Sequence, residues 1–347
     1  MEQIWDDPFV TLREELKTRY MFVHSAIEKD FLLPDGTMKF TEVLVEHDLF
    51  TLLSWINAKD IEAIKSLQET HPDYKGRVII DSGAYSVWNS GKEFDTDKYI
   101  NWLNSDDIID MILWAAEADV IPGERGRVAT PEEANDAAAK SWENYLYMTT
   151  KVKWPKKIVP IYHQGEDLKF LKQMLEHTFD DGSHIPYIGI SPLIASPHIL
   201  KDWYQEVDTV IKNSSNPDVL THNFGMTSFR IMENFRSGSS DSSVCTQNAI
   251  RAKLLVDIVD GIPKFVNVGK RSFNYADHYT RLSSDALNSI KNTINKLPHG
   301  ITWDEVVRRS EETTDTSLLL YCNICAVENW AKKFNYKNGV FGKNILW

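Results

Sequence analysis

The sequence predicts an α/β protein, a (β/α)8 TIM-like barrel with inserted and C-terminal helices. Three observations carry that reading. Short apolar runs alternate with amphipathic stretches, about eight such units fit into roughly 250 residues, and no Pro-, Gly- or Ser-rich linker divides the chain. A parallel neighbour is reached only through a crossover connection, so the alternation implies parallel strands, and eight units favour a closed barrel over an open sheet. A single domain is expected over residues 1–347, with the barrel at about 18–280 and a C-terminal helical extension at about 281–347.

In chain order, the strand-like runs are YMFVHS (20–25), RVIID (77–81), MILWAAEADV (111–120), KIVPIYHQG (157–165), PYIGIS (186–191), DVLTHNFG (218–225) and SSDSSVC (239–245), with PKFVNVG (263–269) as a possible last one. Most are rich in β-branched or aromatic residues. Helices fall between them. Thr130-Pro131-Glu132-Glu133 supplies an N-cap, a proline at the first helical position and two acids at the positive end of the helix dipole. Further helices are expected at 167–177, capped by Asp167, at 196–213, at 283–297, and from about Trp303 or Ser317 to Lys333.

Bulk composition excludes several classes. There is no run of 18 apolar residues, and the N-terminus, MEQIWDDPFV, is acidic where a signal peptide is basic and then apolar. A soluble, cytoplasmic protein without a membrane partner is expected. The net charge of −12 argues against non-specific coating of nucleic acid. Local basic groups remain at Lys151, Lys153, Lys156 and Lys157, at Lys264, Lys270 and Arg271, and at Arg308 and Arg309. Three cysteines in a chain of this length predict reduced thiols.

In a (β/α)8 barrel the chemistry sits where strands end and loops begin. Those positions hold Asp81, Asp119 and Glu124, His163-Gln164-Gly165-Glu166, Gly189 and Ser191, His222-Asn223-Phe224-Gly225, and Asp241. Aspartates can act as nucleophile, acid, base or acceptor; a glutamine donates and accepts; glycines admit a flat ligand; aromatics flank a ring. Each has an ordinary alternative. Asp81 before Ser82-Gly83 suits an Asx turn, Gln164 a loop contact, Phe224 a hydrophobic plug, and Asp241 a solvated loop.

In order, DSGAYS (81–86), AEADV (116–120), PIYHQGED (160–167), YIGIS (187–191), THNFGMTS (221–228) and SSDSSV (239–244) resemble the tRNA-guanine transglycosylases. They are similar above all to phage and bacterial relatives that insert 7-deazaguanines into DNA. The resemblance spans about residues 18–275. It implies that Asp81 handles the base and its proton and that Asp241 is the nucleophile on the ribose anomeric carbon. Asp119 and Gln164 would read the guanine edge, with backbone at Gly189, Ile190 and Gly225, while Tyr85 and Phe224 sandwich the base. DNA would be the polymer partner and the free 7-deazaguanine base the second substrate; Arg251, Lys270 and Arg271 are the candidate nucleic-acid contacts. A tRNA substrate, a TIM-barrel glycoside hydrolase and a non-catalytic binding scaffold are the alternatives.

The chain departs from the family at its zinc site, which is built from a Cys-x-Cys-x-x-Cys cluster and a later histidine. Here Cys245 stands alone and Cys322 and Cys325 lie on an apolar helical pattern, so packing cysteines are expected and no metal or other cofactor.

Overall fold

A computed structural model describes residues 8–16, 20–25, 30–105, 108–124, 127–192, 197–226, 228–235, 237–257, 263–312 and 315–333. Eight parallel strands form its centre: β1 (Met21–Ser25), β2 (Phe50–Ser54), β3 (Val78–Asp81), β4 (Ile112–Ala116), β5 (Ile158–Val159 and Ile161–His163), β6 (Tyr187–Ser191), β7 (Leu220–Asn223) and β8 (Ser239–Ser242). Each pairs with its neighbours in chain order, and β8 pairs with β1, Val23 standing opposite Asp241. The expected barrel is present.

One strand of the sequence reading is corrected. PKFVNVG supplies no barrel strand, because Pro263–Asn267 pairs antiparallel with Lys253–Asp257 in a separate hairpin. The strand that completes the barrel is FTLLS, β2, between the helices Phe40–Glu46 and Ala58–Thr70. A run this short and apolar has no periodicity that separates it from an extension of a neighbouring helix.

Pro160 splits β5, since proline brings no N–H to a ladder. The gap is bridged from both sides. The Pro160 carbonyl accepts from Gly189 N at 2.8 Å, and the buried Glu117 carboxyl accepts from Ile161 N at 2.7 Å.

Alternation along the strands sorts two cores. Val23, Phe50, Ile79, Trp114, Ile161, Tyr187 and Leu220 fill the barrel interior, joined by Phe9, Leu12 and Leu16 of the helix Pro8–Leu16. That helix closes the end where the strands begin: Arg13 donates to the Asp218 carbonyl at 2.7 Å, and Arg77 pairs with Glu15 and with Asp48. The outer core lies between strands and helices. The helices begin as their caps dictate, with a full capping box at Thr130 and Glu133, and with Asp167 accepting from Lys169 N.

The helix Ser317–Lys333 covers the seam where β8 meets β1. Tyr20 N donates to the Ala331 carbonyl at 2.9 Å, His24 Nε2 meets Glu328 Oε1 at 2.9 Å, and Trp330 packs edge-on against Tyr20 and Phe229. Phe334, Tyr336, Phe341 and Trp347, candidates for similar packing, lie outside the described residues. On the same helix the buried Asn323 receives Leu255 N at 2.7 Å and donates to the carbonyls of Lys253 and Cys245 at 3.1 and 3.3 Å. No helix among the described residues is long and apolar enough to cross a membrane.

Replacing Asn323 by Leu removes the partner of the buried Leu255 N–H and one donor to each of the Lys253 and Cys245 carbonyls. We expect the variant to lose about 2–4 kcal/mol in urea-induced unfolding, with the hairpin 253–267 the first segment to exchange its amide hydrogens.

Candidate active site

Strand periodicity decides which side chains face the barrel mouth. Asp81 lies two residues after the interior Ile79, His163 two after Ile161, Phe224 four after Leu220, and Asp241 opposite the interior Val23. Asp81, Asp119, His163, Phe224 and Asp241 thus converge where the strands end.

Asp241 is held tightly by one oxygen. Its Oδ1 accepts from Gly225 N at 2.8 Å and meets His222 Nε2 at 3.2 Å, while Oδ2 has no hydrogen-bond partner among the described residues. The side chain keeps 12% of its surface exposed. One anchored and one open oxygen suit a carboxylate nucleophile.

Asp81 answers both readings made of it. Its carboxyl accepts from Gly83 N, as an Asx turn requires, yet it also shares the mouth with two further acids. Burial first, then the nearby Asp119 and Asp241, push its pKa up to about 7, against the pull of the Gly83 hydrogen bond. Gly83 is obligatory here: φ is +77°, and a Cβ would stand 2.5 Å from Ile56.

Asp119 is fixed from two sides. Ser82 Oγ donates to Oδ1 at 3.2 Å and His163 Nε2 lies 3.3 Å from Oδ2; His163 Nδ1 in turn meets Glu166 Oε1 at 2.9 Å. Burial opposes charge on this imidazole, but the two flanking carboxylates outweigh it and raise its pKa to about 10. The mouth therefore contains one built-in cation among its acids. Deeper in, burial raises Glu117 well above the usual carboxylate range, and its Oε2 finds no hydrogen-bond partner among the described residues.

Phe224 lies directly over Gly189, where an added Cβ would come within 2.6 Å of the ring. The glycine's contribution is this close approach. Its N–H is engaged by Pro160, and the Ile190 carbonyl accepts from Phe224 N, so both groups serve the barrel ladder. Gln164 sits half-buried at the mouth, its N–H on the Ser191 carbonyl. Tyr85 is 62% exposed on the helix Ala84–Ser90, with its ring 5.7 Å from Trp88. Glu124 is exposed and pairs with Arg127.

Arg251, Lys270 and Arg271 are all exposed and belong to one patch. Val268 N bonds the Ala252 carbonyl, and Gly269 abuts the Ala252 methyl, which brings the ends of the two segments together. Ile250, Phe273 and Tyr275 are exposed beside them. Through Asn323 the patch is tied to Cys245, just beyond β8.

The three cysteines lie in apolar surroundings. All three are buried, burial pushes each thiol up, Cys325 to about 12, and no group of three metal-ligating side chains occurs among the described residues.

Three site residues were passed over in the sequence reading. His163, Glu166 and His222 stood in the quoted strand-end segments without a role; interior alternation in IYH and LTHN was the signal for the two histidines. No protein-family model matches the chain, and no curated protein matches it.

The raised pKa of Asp81 has a stability consequence. Below the ordinary carboxylate value near 3.8 the group contributes fully, and the contribution is lost as pH rises through about 7, because the folded state must ionise an acid it prefers to keep neutral. Asp81→Asn removes that loss. Its thermal midpoint relative to the parent protein should be higher at pH 8 than at pH 5; a difference independent of pH would contradict the assignment.

Proposed function

We propose that this protein is a DNA guanine transglycosylase that exchanges guanine for a 7-deazaguanine base through a covalent aspartyl-nucleotide. The observation that carries the reading is the pairing of Asp241, anchored through Oδ1 and open at Oδ2, with Asp81, a carboxyl whose pKa of about 7 suits proton transfer in both directions at neutral pH.

The reaction is then two displacements at one carbon. Asp241 Oδ2 attacks the anomeric carbon of the target nucleotide, the glycosidic bond breaks, and Asp81 gives its proton to the departing guanine. The incoming base loses its N9 proton to Asp81 and attacks the same carbon, which frees Asp241. Asp81 ends as it began, and two inversions give retention. One glycosidic bond replaces another, so neither ATP nor a redox partner is required.

The base lies against Phe224, which can approach closely because residue 189 is glycine; Tyr85 at the rim is the candidate for the opposite face. Asp119, clamped by Ser82 and His163, accepts hydrogen bonds from the N–H edge of a guanine-type ring, beside Gln164. A nucleotide in a duplex must be flipped out, at a cost of a few kcal/mol, roughly offset by stacking of about 1–3 kcal/mol per base. Arg251, Lys270 and Arg271, with Phe273 and Tyr275 beside them, supply phosphate and base contacts on a chain otherwise acidic.

Incubation with radiolabelled 7-deazaguanine and either DNA or tRNA tests the proposal. Label should enter DNA, and mass spectrometry of trapped protein should find a nucleotide adduct on Asp241 that Asp241→Ala abolishes. Label in tRNA alone would overturn the choice of polymer; release of reducing sugar without base incorporation would replace the reaction by glycoside hydrolysis.

A further inference from the structure

We infer that His222 is the positioning residue of the nucleophile, holding Asp241 Oδ1 together with the Gly225 N–H so that Oδ2 is the attacking oxygen. The word nucleophile rests on the proposed base exchange, but the hydrogen bonds do not.

Behind Asp241 runs a buried chain of three polar groups. His222 Nε2 lies 3.2 Å from Asp241 Oδ1, His222 Nδ1 lies 2.7 Å from Ser239 Oγ, and Ser239 Oγ lies 2.5 Å from the Tyr187 hydroxyl. The ionised carboxylate only accepts, so Nε2 carries a hydrogen. In the neutral ring Nδ1 then accepts from Ser239 O–H, and the Ser239 oxygen accepts from Tyr187 O–H. Every proton in the chain points towards Asp241.

The far end is closed. Tyr187 is fully buried in the barrel interior among Trp114 and Phe9 of the helix Pro8–Leu16, and burial pushes its hydroxyl above the ordinary tyrosine range, so it keeps its proton. A chain sealed from water at one end orients; it does not conduct protons. The imidazole is also wedged, edge to face, between Trp114 at 5.0 Å and Phe224 at 4.6 Å, which leaves it no room to swing away. Phe224 is the ring proposed to flank the base, so the same imidazole buttresses both the nucleophile and the stacking surface.

The titratable groups facing Asp241 are His222 from β7 and, across the mouth, Asp81 from β3; β1 presents Val23. Removing His222 takes away a donor that favours the ionised carboxylate. Titration of 13C-labelled aspartate carboxyls, with the Asp241 signal identified by its absence in Asp241→Asn, reads this directly in the free protein. His222→Leu should move the Asp241 midpoint up by about one pH unit. His222→Gln, whose amide N–H can replace Nε2–H, should restore it. Tyr187→Phe removes one hydroxyl and keeps every ring, and should move the midpoint the same way by less. An unmoved midpoint in both His222→Leu and Tyr187→Phe overturns the inference.

In the exchange assay, His222→Leu should lower kcat by about tenfold to a hundredfold with little change in KM for the base, and its acid limb should move to higher pH. A wild-type protein that forms no Asp241 adduct, while its variants still shift the carboxyl titration, overturns base exchange and leaves the positioning role supported.

Discussion

The pairing of β8 with β1 is the constraint on which the rest depends. With Val23 opposite Asp241, the last strand closes the cylinder in a register that turns Asp241 inward. A shift of one residue would send Asp241 outward and present Ser240 or Ser242 to the mouth instead. Ser240 is pinned on the outer side by the Tyr20 hydroxyl at 2.6 Å, and the helix Ser317–Lys333 lies over the seam. The C-terminal part of the chain thereby helps hold in place a carboxylate far from it in sequence.

Closure gathers acids, and gathered acids repel. Asp81 relieves the strain by remaining partly protonated near neutrality, while Asp119 is balanced by the His163 imidazolium between it and Glu166, and Asp241 by Gly225 N–H and His222. Three carboxyls of the same residue type thus have three different surroundings. The division of labour proposed for them rests on those surroundings, because burial, like charge and hydrogen-bond donors each act on the charged form differently.

The same economy of means appears in the backbone. Pro160 interrupts β5, and the carboxyl of Glu117 takes up the Ile161 N–H that the break leaves over. At Gly83 and Gly189 any side chain would collide, with Ile56 in one case and with Phe224 in the other. Both lie beside the proposed site, where the chain must turn sharply after a strand or let a ring approach it.

Seven of the eight barrel strands, the capped helices and the strand-end positions of the acids were legible in the sequence, because they depend on local properties: apolar runs, turn residues and N-caps. The strand Phe50–Ser54 was not legible, nor was the hairpin partnership of Pro263–Asn267, since a short apolar run does not state its neighbour. Tertiary structure alone decided the pairing of His163 with Asp119, the chain from Tyr187 to Asp241, and the meeting of Arg251 with Lys270 and Arg271. Those are contacts across different strands and loops, and no spacing along the chain encodes a distance that only barrel closure creates.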